Sequence, residues 1–114
     1  MTRWIRYPWS DEDLIGFIEF GDDGWAIRHV ELQGPDRRPV TAATLDEVLH
    51  IRDHGDLGDM QAYERQYGVL AEGDVRGWRE ADQVVEISGV EFERVWVPAR
   101  RALDQAGPFA HAGG

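Results

Sequence analysis

Residues 14–32 carry the most legible pattern of apolar and polar positions in the chain. Two β-prone runs, 14–20 and 25–32, flank the turn residues Gly21, Asp22, Asp23 and Gly24, which predicts an antiparallel hairpin. In the second run Trp25, Ile27, His29 and Glu31 fall on one face, and Ala26, Arg28, Val30 and Leu32 on the other. Either Arg28 or His29 therefore faces inward and requires a partner. Residues 3–7 predict a preceding strand, ended by Pro8 and the acidic turn at 10–13. Residues 40–42 predict a short fourth strand after the Gly34–Pro35 turn.

Helical spacing begins at Thr44. Thr44-x-x-Glu47 has capping-box spacing, and Leu45, Val48 and Leu49 share one side of a helix that Gly55 and Gly58 end. Asp59 is the expected cap of a second helix, on which Met60, Tyr63, Glu64 and Tyr67 recur until Gly68. Residues 69–82 show no clear period, and 83–87 read as a strand. Ser88-x-x-Glu91 opens the clearest helix, with Phe92, Val95, Trp96, Ala99 and Leu103 in one apolar stripe. Pro98 within it predicts a kink or break, because proline removes a backbone hydrogen bond and crowds the Arg94 carbonyl. The expected architecture is one α+β domain over residues 1–106. It has a three- to four-stranded antiparallel sheet packed by a C-terminal helix, an acidic irregular or helical insert, and a flexible tail at 107–114.

Composition narrows the chemistry. The 114 residues are 42% hydrophobic and include five tryptophans, as expected of a folded core. There is no Cys, Lys or Asn, and all twelve basic residues are arginine. Disulfides, thiolate zinc sites, cysteine nucleophiles, lysine Schiff bases and P-loop lysines are thereby excluded. Joint loss of Lys and Asn fits the coding bias of a GC-rich, actinobacterial-type genome. No apolar signal core follows residues 1–6 and no run approaches membrane-spanning length, so a cytoplasmic protein is expected. The net charge of -10 disfavours direct binding to nucleic acid and favours a basic or mixed-charge protein partner. Twelve of the 22 acids lie in residues 44–91, which hold four arginines.

The motif Gly24-Trp25-x-x-Arg28-x-Val30-Glu31, taken with Ser88-x-x-Glu91-Phe92-x-x-x-Trp96, resembles a family of small, functionally unassigned bacterial domains of actinobacterial type. The resemblance covers the two ends of the chain, and residues 50–82 are longer than the family pattern. It implies a small α+β fold and no assigned activity.

Candidate sites are few. His50 and His54 stand one helical turn apart, with Asp46 four residues earlier, which is metal-ligand spacing; end-of-helix histidines favoured by the dipole are the simpler reading. Asp53, Asp56 and Asp59 recur through a Gly-rich loop but lack the terminal Glu of a calcium loop, so solvated turn residues are expected. No Ser-His-Asp set can be named, because order and spacing give no nucleophile elbow, and no cofactor is expected. Trp9 and Trp78 lie outside any clear strand or helix. With Asp53, Asp56, Asp59 and Asp74 they form the expected interaction surface of a non-enzymatic immunity-, antitoxin- or inhibitor-like protein. The alternative is a small enzyme or ligand-binding accessory of a biosynthetic pathway, with Glu19, Trp25, Arg28 and His29 lining a pocket on the sheet.

Overall fold

The predicted hairpin forms the middle of the sheet, and a strand flanks it on each side. The structure, a computed structural model, describes residues 1–106; the expected tail at 107–114 lies outside them. In chain order the elements are β1 (Arg3–Trp9), β2 (Leu14–Phe20), β3 (Ala26–Gln33), β4 (Arg38–Thr44), α1 (Leu45–His54), α2 (Leu57–Tyr67), a 3-10 turn at Arg76–Glu80, β5 (Val85–Ile87) and α3 (Gly89–Ala106). The α+β class stands, but the sheet has five strands in the order β4-β3-β2-β1-β5, one more than the upper expectation. Every pairing is antiparallel.

Both faces of this sheet are covered. Trp4, Phe17, Val30, Ala42 and Ile87 share the face on which α3 lays Phe92, Val95, Trp96, Ala99 and Leu103. Ile5, Ile18, Phe20, Ala26 and Ala43 form the opposite face, packed by Leu45, Val48 and Ile51 of α1, by Tyr63 and Tyr67 of α2, and by Leu70, Val75 and Trp78. The acidic segment, expected to be irregular or helical, is helical: α1 and α2 are regular helices, and with the chain after them they make a second layer rather than an insert. β3 changes the expected alternation at its start. Phe20 pairs with Ala26 but Glu19 pairs with Arg28, so Ile27 is the extra residue of a β-bulge, and Ala26 turns to the face opposite Arg28.

Cap chemistry explains the helix limits. Thr44 Oγ1 accepts from Glu47 N–H at 3.2 Å. The second helix is capped by Asp56, not Asp59: Asp56 accepts from Asp59 N–H at 2.8 Å while Asp59 accepts from Asp56 N–H at 3.1 Å. α2 stops at Gly68, whose φ of 80° is easy only for glycine. Ser88 and Glu91 make the reciprocal box that starts α3. Pro98 does not break α3, which is continuous from Gly89 to Ala106. Its ring is exposed, and the surrounding apolar stripe holds the helix on the sheet.

The outer edge of β4 is closed by side chains from the helices. Arg100 donates to the Ala42 carbonyl at 2.9 Å, and Thr44 N–H donates to the Tyr63 hydroxyl at 3.0 Å. At the other edge β5 pairs only with Trp4, Ile5 and Arg6, so Tyr7, Pro8 and Trp9 have no neighbour beyond β1. Pro8 sits where a missing N–H costs the ladder least. Among the described residues no helix is long and apolar enough to cross a membrane.

Gly16 sets the geometry of one cross-strand row, Tyr7–Gly16–Glu31–Thr41. A Cβ at Gly16 would overlap the Tyr7 ring, which lies across β2. Gly16→Ala is expected to lower stability by about 2–3 kcal/mol through overpacking, and combining it with Tyr7→Ser should restore part of the loss. Urea unfolding of the single and double variants checks this.

Candidate functional site

Two polar networks hold the layers together: one is built on Glu19 and Arg28, which the sequence marked, and the other on Arg100, which it did not. In the row Trp4–Glu19–Arg28–Thr44, the Arg28 fork contacts Glu19 at 2.8 and 2.9 Å and Trp4 Nε1–H donates to Glu19 at 2.7 Å. Arg28 also reaches Glu93 of α3 at 2.6 Å, and its guanidinium lies 4.9 Å from the Phe92 ring centre and 5.0 Å from that of Trp96. The two motif halves thus meet in space through Arg28. Burial pushes the Glu19 carboxyl up, but hydrogen bonds from Arg28 and Trp4 outweigh it and leave its pKa lowered.

The second network ties α3 to α1 and α2 around the β4 edge. Arg100 contacts Glu47 at 2.8 and 2.6 Å and packs 3.8 Å from the Tyr67 ring centre. Tyr63 O–H donates to Glu47 at 2.7 Å. Burial, with the Glu47 hydrogen bond adding to it, pushes the Tyr63 phenol up to about 12. Glu47 is thereby drawn away from the Thr44 N–H, and the Tyr63 hydroxyl takes its place in the capping box.

His29 lies on the opposite face from Arg28 and is almost wholly buried. Its Nδ1 accepts from Ala71 N–H at 3.1 Å, which puts the ring proton on Nε2, 2.7 Å from the Tyr7 hydroxyl. Glu31 stands 3.9 Å from the same ring nitrogen and accepts from Thr41 at 2.7 Å. Burial lowers the His29 pKa, against opposing pulls from Glu31 and the Val69 carbonyl. The expected pocket of Glu19, Trp25, Arg28 and His29 is therefore not assembled, because the sheet separates His29 from the Glu19–Arg28 pair.

Trp25 instead borders a different cavity. Between α1, α2 and the strap at 68–72 lies a cleft of about 420 Å³. Trp25, Leu45, Val48, Leu49, Met60, Val69 and Leu70 give it an apolar wall, and Arg52, Glu64 and Glu72 are its charged lining. The strap is pinned by Ala71 N–H on His29, and the chain just beyond it by Val75 N–H on the Gly24 carbonyl at 2.9 Å. Gly68 packs so closely on Thr41 that a Cβ there would overlap it. Sequence reasoning missed this cleft. Leu49, Arg52, Met60 and Glu64 sit at helical spacing, but no local signal says that their two helices face the same gap.

The expected interaction residues do not form one patch. Asp53, Asp56 and Asp59 are exposed at the corner joining α1 to α2, between the cleft residues Arg52 and Met60. Asp74 is held by Arg76 at 2.9 Å, and Trp78 is half-buried against the core with Arg79 stacked on it. Trp78 shares a hollow with Arg3 at one end of β1, whereas the exposed Trp9 is at the other end, about 20 Å away along the strand. The rings of His50 and His54 stand 4.7 Å apart at the end of α1. Among the described residues no three His, Asp or Glu side chains gather as a metal set.

Two measurements test these networks. Arg28→Met strands the Glu19 carboxylate against apolar neighbours and is expected to cost about 3 kcal/mol in urea unfolding, with Arg28→Lys intermediate because it lacks the fork. For His29 the folded pKa lies below the ordinary 6.5, so its contribution to stability is complete above that pH and shrinks as pH falls, when the unfolded chain gains a proton that the folded ring resists. Thermal unfolding between about pH 7 and pH 5 should show this slope in the parent chain and not in His29→Asn, whose amide oxygen keeps the Ala71 acceptor without titrating. Comparison with protein-family models, with curated proteins and with solved structures finds no match for this chain.

Proposed function

We propose that this chain is a non-enzymatic, cytoplasmic docking protein that binds a basic or mixed-charge protein partner, in the manner of an immunity, antitoxin or inhibitor protein. The observation that carries this reading is the apolar cleft between α1 and α2, with Arg52, Glu64 and Glu72 as its charged lining and Asp53, Asp56 and Asp59 solvent-exposed on the corner that joins the two helices. An apolar centre with a charged rim is the anatomy of a protein interface. The net charge of -10 adds long-range attraction for a basic partner. Of the residues first expected on this surface, the three corner aspartates keep their place in the proposal. Asp74 and Trp78 are engaged within the fold, and Trp9 stands apart from the cleft. The alternative of an enzyme with a sheet-face pocket has less support, since its four residues lie on opposite sides of the sheet. The resemblance to small unassigned bacterial domains is part of the same reading.

The test is capture of partners from the source cell by the parent chain and by Asp53→Asn/Asp56→Asn/Asp59→Asn. Asparagine caps a helix nearly as well as aspartate, so the triple variant removes charge and leaves α2 intact. A basic partner is expected whose affinity falls about tenfold in the triple variant and in raised salt. Binding that is indifferent to both changes would overturn the reading.

A further inference from the structure

We infer that the cleft between α1, α2 and the strap at 68–72 anchors a linear segment of a partner protein, one large apolar side chain flanked by arginine or lysine. This rests on the docking function proposed above and names the chemistry of its occupant. The cleft wall leaves apolar surface unfilled at its mouth: Trp25 is 49% exposed and Val69 56%. An apolar anchor removes that surface from water. The charge of the lining then selects what flanks the anchor. Among the described residues Glu64 and Glu72 form no ion pair, whereas Arg52, the one cation of the lining, already contacts Asp53 at 3.3 Å. Two uncompensated carboxylates beside an apolar wall favour cationic neighbours and repel acidic ones.

The extent of the surface favours a chain segment over a small molecule. Leu57, 74% exposed, sits at the α1–α2 corner among Asp53, Asp56 and Asp59, outside the cleft but next to it along the chain. A compound filling the cleft alone would leave this corner uncovered, whereas an extended segment seated on Met60 is long enough to reach Leu57, three residues away on the same helix. A second copy of this chain is disfavoured as occupant, because each copy carries -10. The cleft is also held open before binding: the strap is fixed by its hydrogen bond to His29 and the chain beyond it by Val75 N–H on Gly24, so little ordering opposes entry.

Fluorescence anisotropy with three labelled peptides tests the inference: one with a central phenylalanine between arginines, one with serine in place of the phenylalanine, and one with glutamates in place of the arginines. The first is expected to bind the parent chain about tenfold more tightly than either of the others. Glu64→Gln/Glu72→Gln should weaken it by about tenfold, and Val69→Ser and Trp25→Ala, both at exposed positions that leave the core untouched, by a similar factor. Equal binding of the three peptides would overturn the inference. So would loss of binding in the Asp53→Asn/Asp56→Asn/Asp59→Asn chain without loss in the cleft variants; that outcome leaves the acidic docking function standing and removes the cleft from it.

Discussion

The Arg100–Glu47 pair is the constraint on which the arrangement of layers depends. A sheet covered on both faces needs something to fix one helical layer relative to the other, because the sheet itself keeps them apart. Arg100 does this at the β4 edge: it takes the Ala42 carbonyl, forks onto Glu47 of α1 and lies on the Tyr67 ring of α2. Each of these contacts comes from a different element, so shifting any helix breaks a charge-assisted bond that is partly removed from water. Because Glu47 is committed to Arg100, Tyr63 must supply the hydroxyl that satisfies Thr44 N–H, and this in turn sets the depth of α2 against β4. The gap between α1 and α2 that becomes the cleft follows from that placement.

The use of arginine alone has consequences for where the charge of this chain is felt. Arg28 and Arg100 each satisfy carboxylates through planar forks while stacking on aromatic rings, a combination an ammonium cannot offer. The acids they engage, Glu19, Glu47, Glu93 and Asp104, are compensated locally. Asp74 is likewise matched to Arg76. The negative field therefore arises from what is left; on the α1–α2 side this is Asp46, Asp56, Asp59, Glu64 and Glu72, while Asp53 is met by Arg52. Composition places the excess in the middle third of the chain, and part of it, Glu64 and Glu72, lines the cleft without an ion pair among the described residues.

Local signals in the sequence were legible where the physics is local. The hairpin turn at Gly21–Gly24, the Thr44 and Ser88 caps and the apolar stripe of α3 each need only neighbouring residues, and each forms as expected. The cap of α2 shows how thin such signals are: Asp56 and Asp59 both present a carboxylate at the start of the helix, and only the reciprocal pair of bonds distinguishes cap from third residue. The expected alternation of residues 25–32 holds from Arg28 onward and fails at Ala26, because a bulge depends on the partner strand and leaves no mark on one strand alone. Coverage of the second face could not be read from α1 or α2, since their apolar positions are consistent with any sheet surface. The fifth strand lies within the run 83–87 that reads as a strand, but it is only three residues long, and its place beside β1 could not be read from it.

His29 joins the parts of the structure that were and were not legible. Alternation left open whether Arg28 or His29 faces inward; both sheet faces are covered, and the partner of His29 was not legible because Ala71 lies 42 residues away in a segment without periodicity. Gly16 is what makes the arrangement possible: with no side chain there, the Tyr7 ring crosses β2 to meet His29, and the imidazole then turns its other nitrogen outward to the strap. A buried neutral imidazole with both nitrogens engaged is a rigid fitting, and the strap it holds forms one wall of the cleft. The apolar wall therefore rests on a polar network inside the sheet layer, which prevents the strap from collapsing onto Leu49 and Met60 and filling the gap with the protein's own side chains. A surface kept apolar and open by interactions of this kind is costly for an isolated molecule, and burial against a partner removes that cost.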